Sequence, residues 1–130
     1  MKLSILITLF NEELVLSQTH KAMSAQLEQM LGKELSDYEL LYIDDGSSDQ
    51  TYELITAIAK ENPRVKYIRF SRNFGRESGI LAGFKYASGD AVMVMDGDLQ
   101  HPPYLIPLFL EAYNEGYDIV SGQRTREGES

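Results

Sequence analysis

Residues 38–61 read YELLYIDDGSSDQTYELITAIAKE and place a strand, a polar turn and a helix one after another. Residues 38–44 are rich in large apolar and aromatic side chains, which is typical of a strand buried in a sheet. The polar turn has Ser47 and Gln50 at the spacing of a capping box, and it opens a helix predicted over residues 49–61. This β-α unit indicates an α/β protein.

The same alternation of short apolar runs and longer helical patterns continues along the chain. Further strands are predicted at residues 3–9, 65–70, 91–95 and 119–121, and further helices at residues 12–31, 76–87 and 102–115. Strands that alternate with helices are typical of parallel sheets. The sequence therefore predicts one domain with a mostly parallel sheet covered by helices.

The composition is that of a globular protein, with 43% hydrophobic and 25% charged residues in a chain of 130. The net charge of −8 argues against a general nucleic-acid binder, which needs a basic face to neutralise phosphates. Because the chain has no cysteine, disulfides and thiolate metal sites are excluded, and a cytoplasmic location is expected. The apolar residues 2–10 are too short for a signal peptide or a membrane span, and they are predicted to form the first strand.

Polar side chains follow four of the predicted strands, in loops at residues 10–12, 44–47, 71–75 and 96–100. In open parallel sheets the carboxyl ends of the strands share one edge, and ligands collect there. Two of these loops hold paired carboxylates. We therefore expect the functional site at this edge of the sheet.

The stretch VMVMDGDLQHPP, residues 92–103, ends an apolar strand in Asp96, Gly97 and Asp98. Two carboxylates about 4 Å apart repel each other by about 4 kcal/mol at an effective dielectric constant of about 20, unless a cation lies between them. Because only oxygen ligands are at hand, Mg²⁺ or Mn²⁺ is the favoured ion, with Gln100 as a further ligand. The alternative is that both aspartates form a turn and cap the helix that follows.

Asp44 and Asp45 end the second predicted strand. An acidic residue at this place in nucleotide-binding sheets commonly binds ribose hydroxyls or a base, so both aspartates are candidate substrate-binding residues. The glycine fingerprint of dehydrogenases is missing, since the first glycine of the chain is Gly32, and a nucleotide must be held in another way. The alternative is a turn that only caps the next helix.

Five basic residues between positions 64 and 76 form a cationic segment in an otherwise acidic chain. Arg72 and Arg76 flank the loop at the ligand edge, and Arg124 and Arg126 follow the fifth predicted strand. A guanidinium group can bind phosphate through two parallel hydrogen bonds. The set predicts an anion site that includes Arg72, and the alternative is a solvated basic face.

Five segments of the chain resemble a known enzyme family. The segments LFNEE, IDDGSSDQT, SRNFG, AGFKYASGDAVMVMDGDLQHPP and YDIVSGQR, in this order and spacing, are similar to the amino-terminal part of family 2 inverting glycosyltransferases. The DLQHPP form resembles the branch that transfers a sugar from a nucleotide to polyprenyl phosphate. The resemblance implies a Rossmann-like GT-A nucleotide-binding sheet, mostly parallel, with helices on both faces. Because the family's catalytic domain is longer, we expect this chain to be an amino-terminal part of one.

The resemblance also implies roles for individual residues. It places the metal and the diphosphate at Asp96, Asp98 and Gln100, and the phosphates by Arg124. It places the nucleobase near Asp44 and the nucleoside along Phe10 and Glu12. The implied catalytic residues are Asp98 and Arg124. The chain departs from the family pattern at Thr8, at Phe10 and at Tyr104, where proline, tyrosine and glutamate are common. These departures bear on the donor site and leave the metal motif intact.

The implied reaction is an in-line attack on the anomeric carbon of a nucleotide-diphosphate sugar, with metal and arginines stabilising the departing diphosphate. The implied acceptor is a lipid phosphate, at a membrane that only the longer parent protein contacts, and a homo-oligomer is compatible with the pattern. Two alternatives are a non-catalytic nucleotide-binding module and a phosphatase in which Asp96 attacks phosphate. The phosphatase is the weaker alternative, because Gln100 stands where threonine or valine is expected.

Overall fold

The computed structural model describes residues 1–97 and 102–116, which form four strands and four helices. In chain order the elements are β1 (Lys2–Leu9), α1 (Leu16–Met30), β2 (Asp37–Asp44), α2 (Thr51–Glu61), β3 (Val65–Arg69), α3 (Arg76–Tyr86), β4 (Ala91–Asp96) and α4 (Leu105–Asn114). The sheet has the order β3-β2-β1-β4, and every strand pair is parallel. The predicted α/β class is confirmed, and the strand predicted at residues 119–121 lies outside the described residues. In the described part of the chain, no helix combines the length and apolar character needed to cross a membrane.

Helices cover both faces of the sheet, as predicted. α1, α2 and α4 pack on one face, with side chains such as Leu27, Ile55 and Phe109 in the core. α3 lies on the other face, over Leu6 and Ile43. The change of face follows from right-handed crossovers, because the chain steps outward from β1 to β3 and then returns to the far side of β1. The strand order therefore reverses between β1 and β4, which is where open α/β sheets bind ligands.

Two glycines let the backbone of α3 approach the sheet closely. A Cβ atom added to Gly79 would lie 3.1 Å from Cγ2 of Ile43, and one added to Gly83 would lie 2.8 Å from the Cδ1 atoms of Ile43 and Leu6. Side chains at these two positions would therefore press against the sheet. Because α3 begins at Arg76, its seat on the sheet also fixes where that arginine lies.

Three predicted helix starts are wrong. α1 begins at Leu16 and not at residue 12, α2 begins at Thr51 and not at residue 49, and α4 begins at Leu105 and not at residue 102. Before α1, the backbone amides of residues 11–13 donate hydrogen bonds to side chains of residues 47–51. A turn follows, in which the carbonyl of Glu12 accepts from the N–H groups of Val15 and Leu16. The predicted capping box is also wrong, because Ser47 accepts one of these bonds and the N–H of Gln50 donates to Glu13.

A buried carboxylate joins the amino half of β2 to the end of α3. Glu39 is 2% exposed, and its Oε2 accepts hydrogen bonds from Ser4 Oγ at 2.6 Å and from the backbone N–H of Ser88 at 2.7 Å. Its Oε1 accepts a hydrogen bond from Lys66 Nζ at 3.1 Å. Burial by itself raises the pKa of Glu39, but these hydrogen bonds outweigh burial and lower the pKa to about 2.

The lowered pKa of Glu39 predicts a loss of stability in acid. We expect this carboxylate to remove about 3 kcal/mol from the free energy of unfolding as the pH falls from 4.5 to about 2, because the unfolded chain binds a proton there more readily than the folded chain. Urea unfolding at successive pH values measures the effect. The variant Glu39→Gln should lack this part of the pH dependence, whereas the exposed control Glu61→Gln should keep it. Equal pH dependence in all three proteins would contradict the prediction.

Candidate functional site

A cleft of about 170 Å³ opens at the carboxyl edge of the sheet, between the ends of β1 and β4. It lies where the strand order reverses, at the edge predicted to hold a ligand. Residues from four loops and strand ends form its walls: Thr8, Leu9, Phe10, Glu12, Asp45, Arg76, Asp96 and Gly97. Four of these residues carry charged side chains, so the cleft can bind a ligand that has charged groups.

Asp96, the last residue of β4, carries an ion pair inside the cleft. It lies opposite Thr8 of β1 in the strand register, and the Thr8 hydroxyl donates a hydrogen bond to Asp96 Oδ1 at 3.3 Å. Arg76 Nε donates to the same oxygen at 2.7 Å. The side chains of Asp96 and Arg76 are 25% and 33% exposed, so a ligand can reach both charges. The cleft thus presents an anion and a cation side by side.

Gly97 allows the tip of β4 to pack against β1. Its backbone N–H donates to the carbonyl of Thr8 at 3.1 Å, and its own carbonyl accepts a hydrogen bond from Thr19 Oγ1 at 3.3 Å. A Cβ atom at this position would overlap the side chain of Leu9. The glycine between the two predicted metal-binding aspartates therefore leaves room for the side chain of Leu9 at the tip of β4.

Asp45, at the wall of the cleft, accepts hydrogen bonds from two backbone amides. Its Oδ1 accepts a hydrogen bond from the backbone N–H of Phe74 at 2.8 Å, and its Oδ2 accepts one from the backbone N–H of Gly75 at 2.9 Å. The carboxylate thereby ties the loop after β2 to the loop after β3, just before Arg76. Direct contact between Asp45 and substrate stays a prediction.

Asp44 is fully buried beside the cleft. Its Oδ1 accepts a hydrogen bond from the backbone N–H of Ser47 at 3.0 Å, so it supports the turn as the alternative reading expected. Its Oδ2 is buried and, within the described residues, accepts no hydrogen bond. Arg69 Nε lies 4.0 Å from that oxygen. The two adjacent aspartates therefore differ, since Asp45 lines the cleft and Asp44 does not.

The rim of the cleft holds an exposed aromatic ring. Phe10 is 46% exposed and lines the cleft together with Glu12. Arg72 is exposed and stacks on Phe74, with its Cζ 4.2 Å from the ring centroid, and it does not line the cleft. A substrate contact for Arg72 stays a prediction.

The predicted metal ligands are only partly within the described residues. Asp96 is described, whereas Asp98 and Gln100 lie outside, as do the predicted phosphate-binding residues Arg124 and Arg126. Among residues 1–97 and 102–116, no three His, Cys, Asp or Glu side chains are grouped to hold a metal ion. The Asp96 carboxylate is a hard oxygen donor of the kind that Mg²⁺ and Mn²⁺ prefer, and in the structure Arg76 already balances its charge. Asp96 is therefore a donor of the right kind for the predicted ion, and binding of the ion stays a prediction.

Three contributions to the site were not predicted from the sequence. The hydroxyl of Thr8 and the guanidinium of Arg76 converge on Asp96, and Asn11 connects the loops after β1 and β2. The position of Arg76 at the ligand edge was expected, but its partner was not. The one available signal for Asn11 is its residue type, since asparagine is among the few residues that adopt a left-handed backbone conformation readily.

Comparison with known proteins identifies the family. Residues 4–130 match the model of glycosyl transferase family 2, and the chain belongs to this family. CsbB of Bacillus subtilis (strain 168), which bears the name of a glycosyltransferase, is 46% identical over 128 residues. That alignment covers 98% of this chain and 38% of CsbB, so the chain spans well under half the length of this relative.

Solved structures share the fold. The chain matches residues 1–349 of Staphylococcus aureus TarS, in complex with UDP-GlcNAc, with a TM-score of 0.67 and 20% identity, over 88% of this chain and 32% of TarS. It also matches glucosyl-3-phosphoglycerate synthase from Mycobacterium tuberculosis, in complex with UDP, with a TM-score of 0.67 and 21% identity, over 91% of this chain and 42% of the synthase. The expected GT-A type of sheet is confirmed.

Proposed function

We propose that this chain forms the donor-binding part of a glycosyltransferase that uses a nucleotide-diphosphate sugar. The observation that carries the proposal is the cleft at the reversal of strand order, where Asp96 and Arg76 meet at 2.7 Å beside Phe10 and Glu12. The complexes of TarS with UDP-GlcNAc and of the mycobacterial synthase with UDP support a nucleotide ligand for this family.

The nucleoside is proposed to lie against the rim formed by Phe10 and Glu12. The exposed ring of Phe10 offers an apolar face on which a base can stack. The carboxylate of Glu12 can accept hydrogen bonds from ribose hydroxyls. Each oxygen of Asp45 keeps a further lone pair after binding the loop amides, and these lone pairs can accept from the base or the ribose.

Asp44 is proposed to act near the nucleobase through its Oδ2 atom. A buried oxygen that accepts no hydrogen bond costs free energy, and a donor from a ligand would remove that cost. Arg69 lies close by, with its Nε 4.0 Å from Oδ2 and its Cζ 3.9 Å from the ring centroid of Tyr52. Because this oxygen is buried, a base N–H can reach it only if the residues that cover it move.

The diphosphate is proposed to lie between the end of β4 and the arginines. Asp96, Asp98 and Gln100 would hold Mg²⁺ or Mn²⁺, which when bound supplies positive charge to the departing diphosphate. Arg76 is placed to donate hydrogen bonds to phosphate oxygens, and Arg124 is proposed for the same task. With the leaving group held in this way, the acceptor attacks the anomeric carbon from the opposite side, and the configuration inverts.

The acceptor is proposed to be a polyprenyl phosphate, at the cytoplasmic face of a membrane. The basis is the DLQHPP segment, which resembles the branch that uses such lipids. A phosphate oxygen is already ionised at neutral pH, so this reaction needs no strong general base. A hydroxyl acceptor would need a carboxylate base.

Calorimetric titration tests the donor assignment. We expect UDP or a UDP-sugar to bind this chain in the presence of Mn²⁺, and to bind at least about tenfold more weakly without it. GDP-sugars in the same titration determine whether the base is discriminated. Absence of binding by every nucleotide would refute the proposal.

Product analysis with the longer parent protein tests the acceptor. Sugar transfer to polyprenyl phosphate, but not to the matched polyprenol, is the expected result. Nucleotide binding without transfer to any acceptor would favour a non-catalytic binding module. Covalent phosphorylation of Asp96 would favour the phosphatase alternative, which the family membership argues against.

A further inference from the structure

The loop after β1 is fastened to the turn before α2 by its backbone amides. Three consecutive N–H groups, at residues 11, 12 and 13, donate to the side chains of Ser47, Thr51 and Asp49 at 2.8, 2.9 and 3.2 Å. A loop whose successive amides all bind side chains of another loop has a fixed position relative to that loop. The loops after β1 and β2 therefore form one unit.

The hydrogen bonds also run in the opposite direction. Asn11 Oδ1 accepts from the backbone N–H groups of Ser48 at 2.8 Å and Asp49 at 3.3 Å, and Glu13 Oε1 accepts from the N–H of Gln50 at 2.9 Å. The residue at the N-cap position of α2, Gln50, makes no side-chain cap of its own. The amides that lead into α2 are therefore capped largely from another segment of the chain.

Asn11 has the backbone conformation that this arrangement needs. Its φ is +53°, in the left-handed region that asparagine tolerates better than most residues. The residues on either side, Phe10 and Glu12, both line the cleft. The side-chain contacts of Asn11 are therefore made between two residues that line the cleft.

We infer that Asn11 is a positioning residue for the donor site. Its amide oxygen and left-handed backbone hold the loop after β1 against the start of α2, so that Phe10 and Glu12 face the ligand. The inference rests on the proposed function for the identity of that ligand. It does not depend on a metal ion, because every contact involved lies between residues of this chain.

A pair of variants separates the two features of Asn11. Asn11→Gly keeps the freedom to adopt positive φ and removes the acceptor oxygen, whereas Asn11→Asp keeps an acceptor and adds a negative charge that suits the amino end of a helix. In Asn11→Gly we expect amide hydrogen exchange at Ser48 and Asp49 to speed up, and UDP binding in Mn²⁺ to weaken, by about tenfold each. In Asn11→Asp, the exchange rates at Ser48 and Asp49 and the UDP affinity should stay close to those of the unchanged protein.

A core variant serves as the matched control for stability. Ile55 is fully buried in α2 and outside the cleft, so Ile55→Val should lower Tm and leave UDP affinity within about twofold. All titrations are made well below the unfolding transition of each variant. Should Asn11→Gly fail to fold, Glu13→Ala gives a milder break, with faster exchange expected at Gln50.

The outcomes separate this inference from the proposed function. Unchanged exchange and unchanged UDP affinity in Asn11→Gly would overturn the positioning role, and so would an Asn11→Asp variant that behaves like Asn11→Gly. If the unchanged chain binds no UDP, the proposed function fails, and the exchange measurement alone then decides whether Asn11 fixes the loop. Faster amide exchange in Asn11→Gly, together with an unchanged rate in Asn11→Asp, supports the positioning role. Equal exchange in Asn11→Gly and in the unchanged protein overturns that role.

Discussion

Replacement of Gly46 by alanine is expected to lower the free energy of unfolding by about 4 kcal/mol or more. Gly46 has a φ of +76°, and its Cβ position is filled by the backbone of the loop after β3. A methyl group there would overlap the carbonyl carbon of Arg72 and lie 2.5 Å from the backbone nitrogen of Asn73. Because these are backbone atoms, no side-chain rotation can relieve the overlap.

Gly32 provides a matched control for this prediction. It has a φ of +78°, nearly the same as that of Gly46, but a Cβ atom at Gly32 would have no neighbour within 4 Å. Gly32→Ala therefore tests the strain of positive φ alone, with an expected cost of about 1 kcal/mol. Urea unfolding of both variants measures the difference, and equal losses would show that the two loops do not pack as described.

Replacement of Asp96 by asparagine is expected to weaken UDP binding in Mn²⁺ by about 100-fold or more. Asparagine keeps the size of the side chain and an oxygen acceptor for Thr8, but it removes the charge that faces Arg76 and the proposed ion. Because both members of the ion pair are partly exposed, the accompanying loss of stability should be only about 1 kcal/mol. Calorimetry gives the affinity and urea unfolding gives the stability.

The exposed residue Glu53, in the first turn of α2, offers a control that removes one negative charge elsewhere. Glu53→Gln should leave UDP affinity within about twofold, since a solvated charge outside the cleft is screened by salt. If Asp96→Asn binds UDP as tightly as Glu53→Gln does, the anion at the tip of β4 has no part in donor binding.

The strands were predictable because each is a short apolar run that ends in polar residues. The predicted bounds of β1, β2, β3 and β4 differ from the structure by at most one residue at each end. The helix starts were less predictable. The sequence around Asn11 and Ser47 contains good capping residues, but their partners lie on each other's loop, and local spacing gives no indication of a partner about 36 residues away.

The site was predictable in its location and less so in its contacts. Parallel strands bring their carboxyl ends to one edge, so Phe10, Asp45 and Asp96 could be placed there from the strand pattern. Which of two adjacent aspartates lines the cleft depends on how the loop after β3 folds over them. The ion pair of Arg76 with Asp96 depends on the depth at which α3 packs, which no single segment of the sequence encodes.

The two glycines of α3 that face the sheet have a consequence for the charges in the cleft. The reach of the Arg76 guanidinium is fixed by how closely the following helix lies on Leu6 and Ile43, through Gly79 and Gly83. A bulkier residue at either glycine would lift the helix and draw the guanidinium away from the strand tip. The distance between the opposite charges of Asp96 and Arg76 is thus set in part by two residues that do not line the cleft.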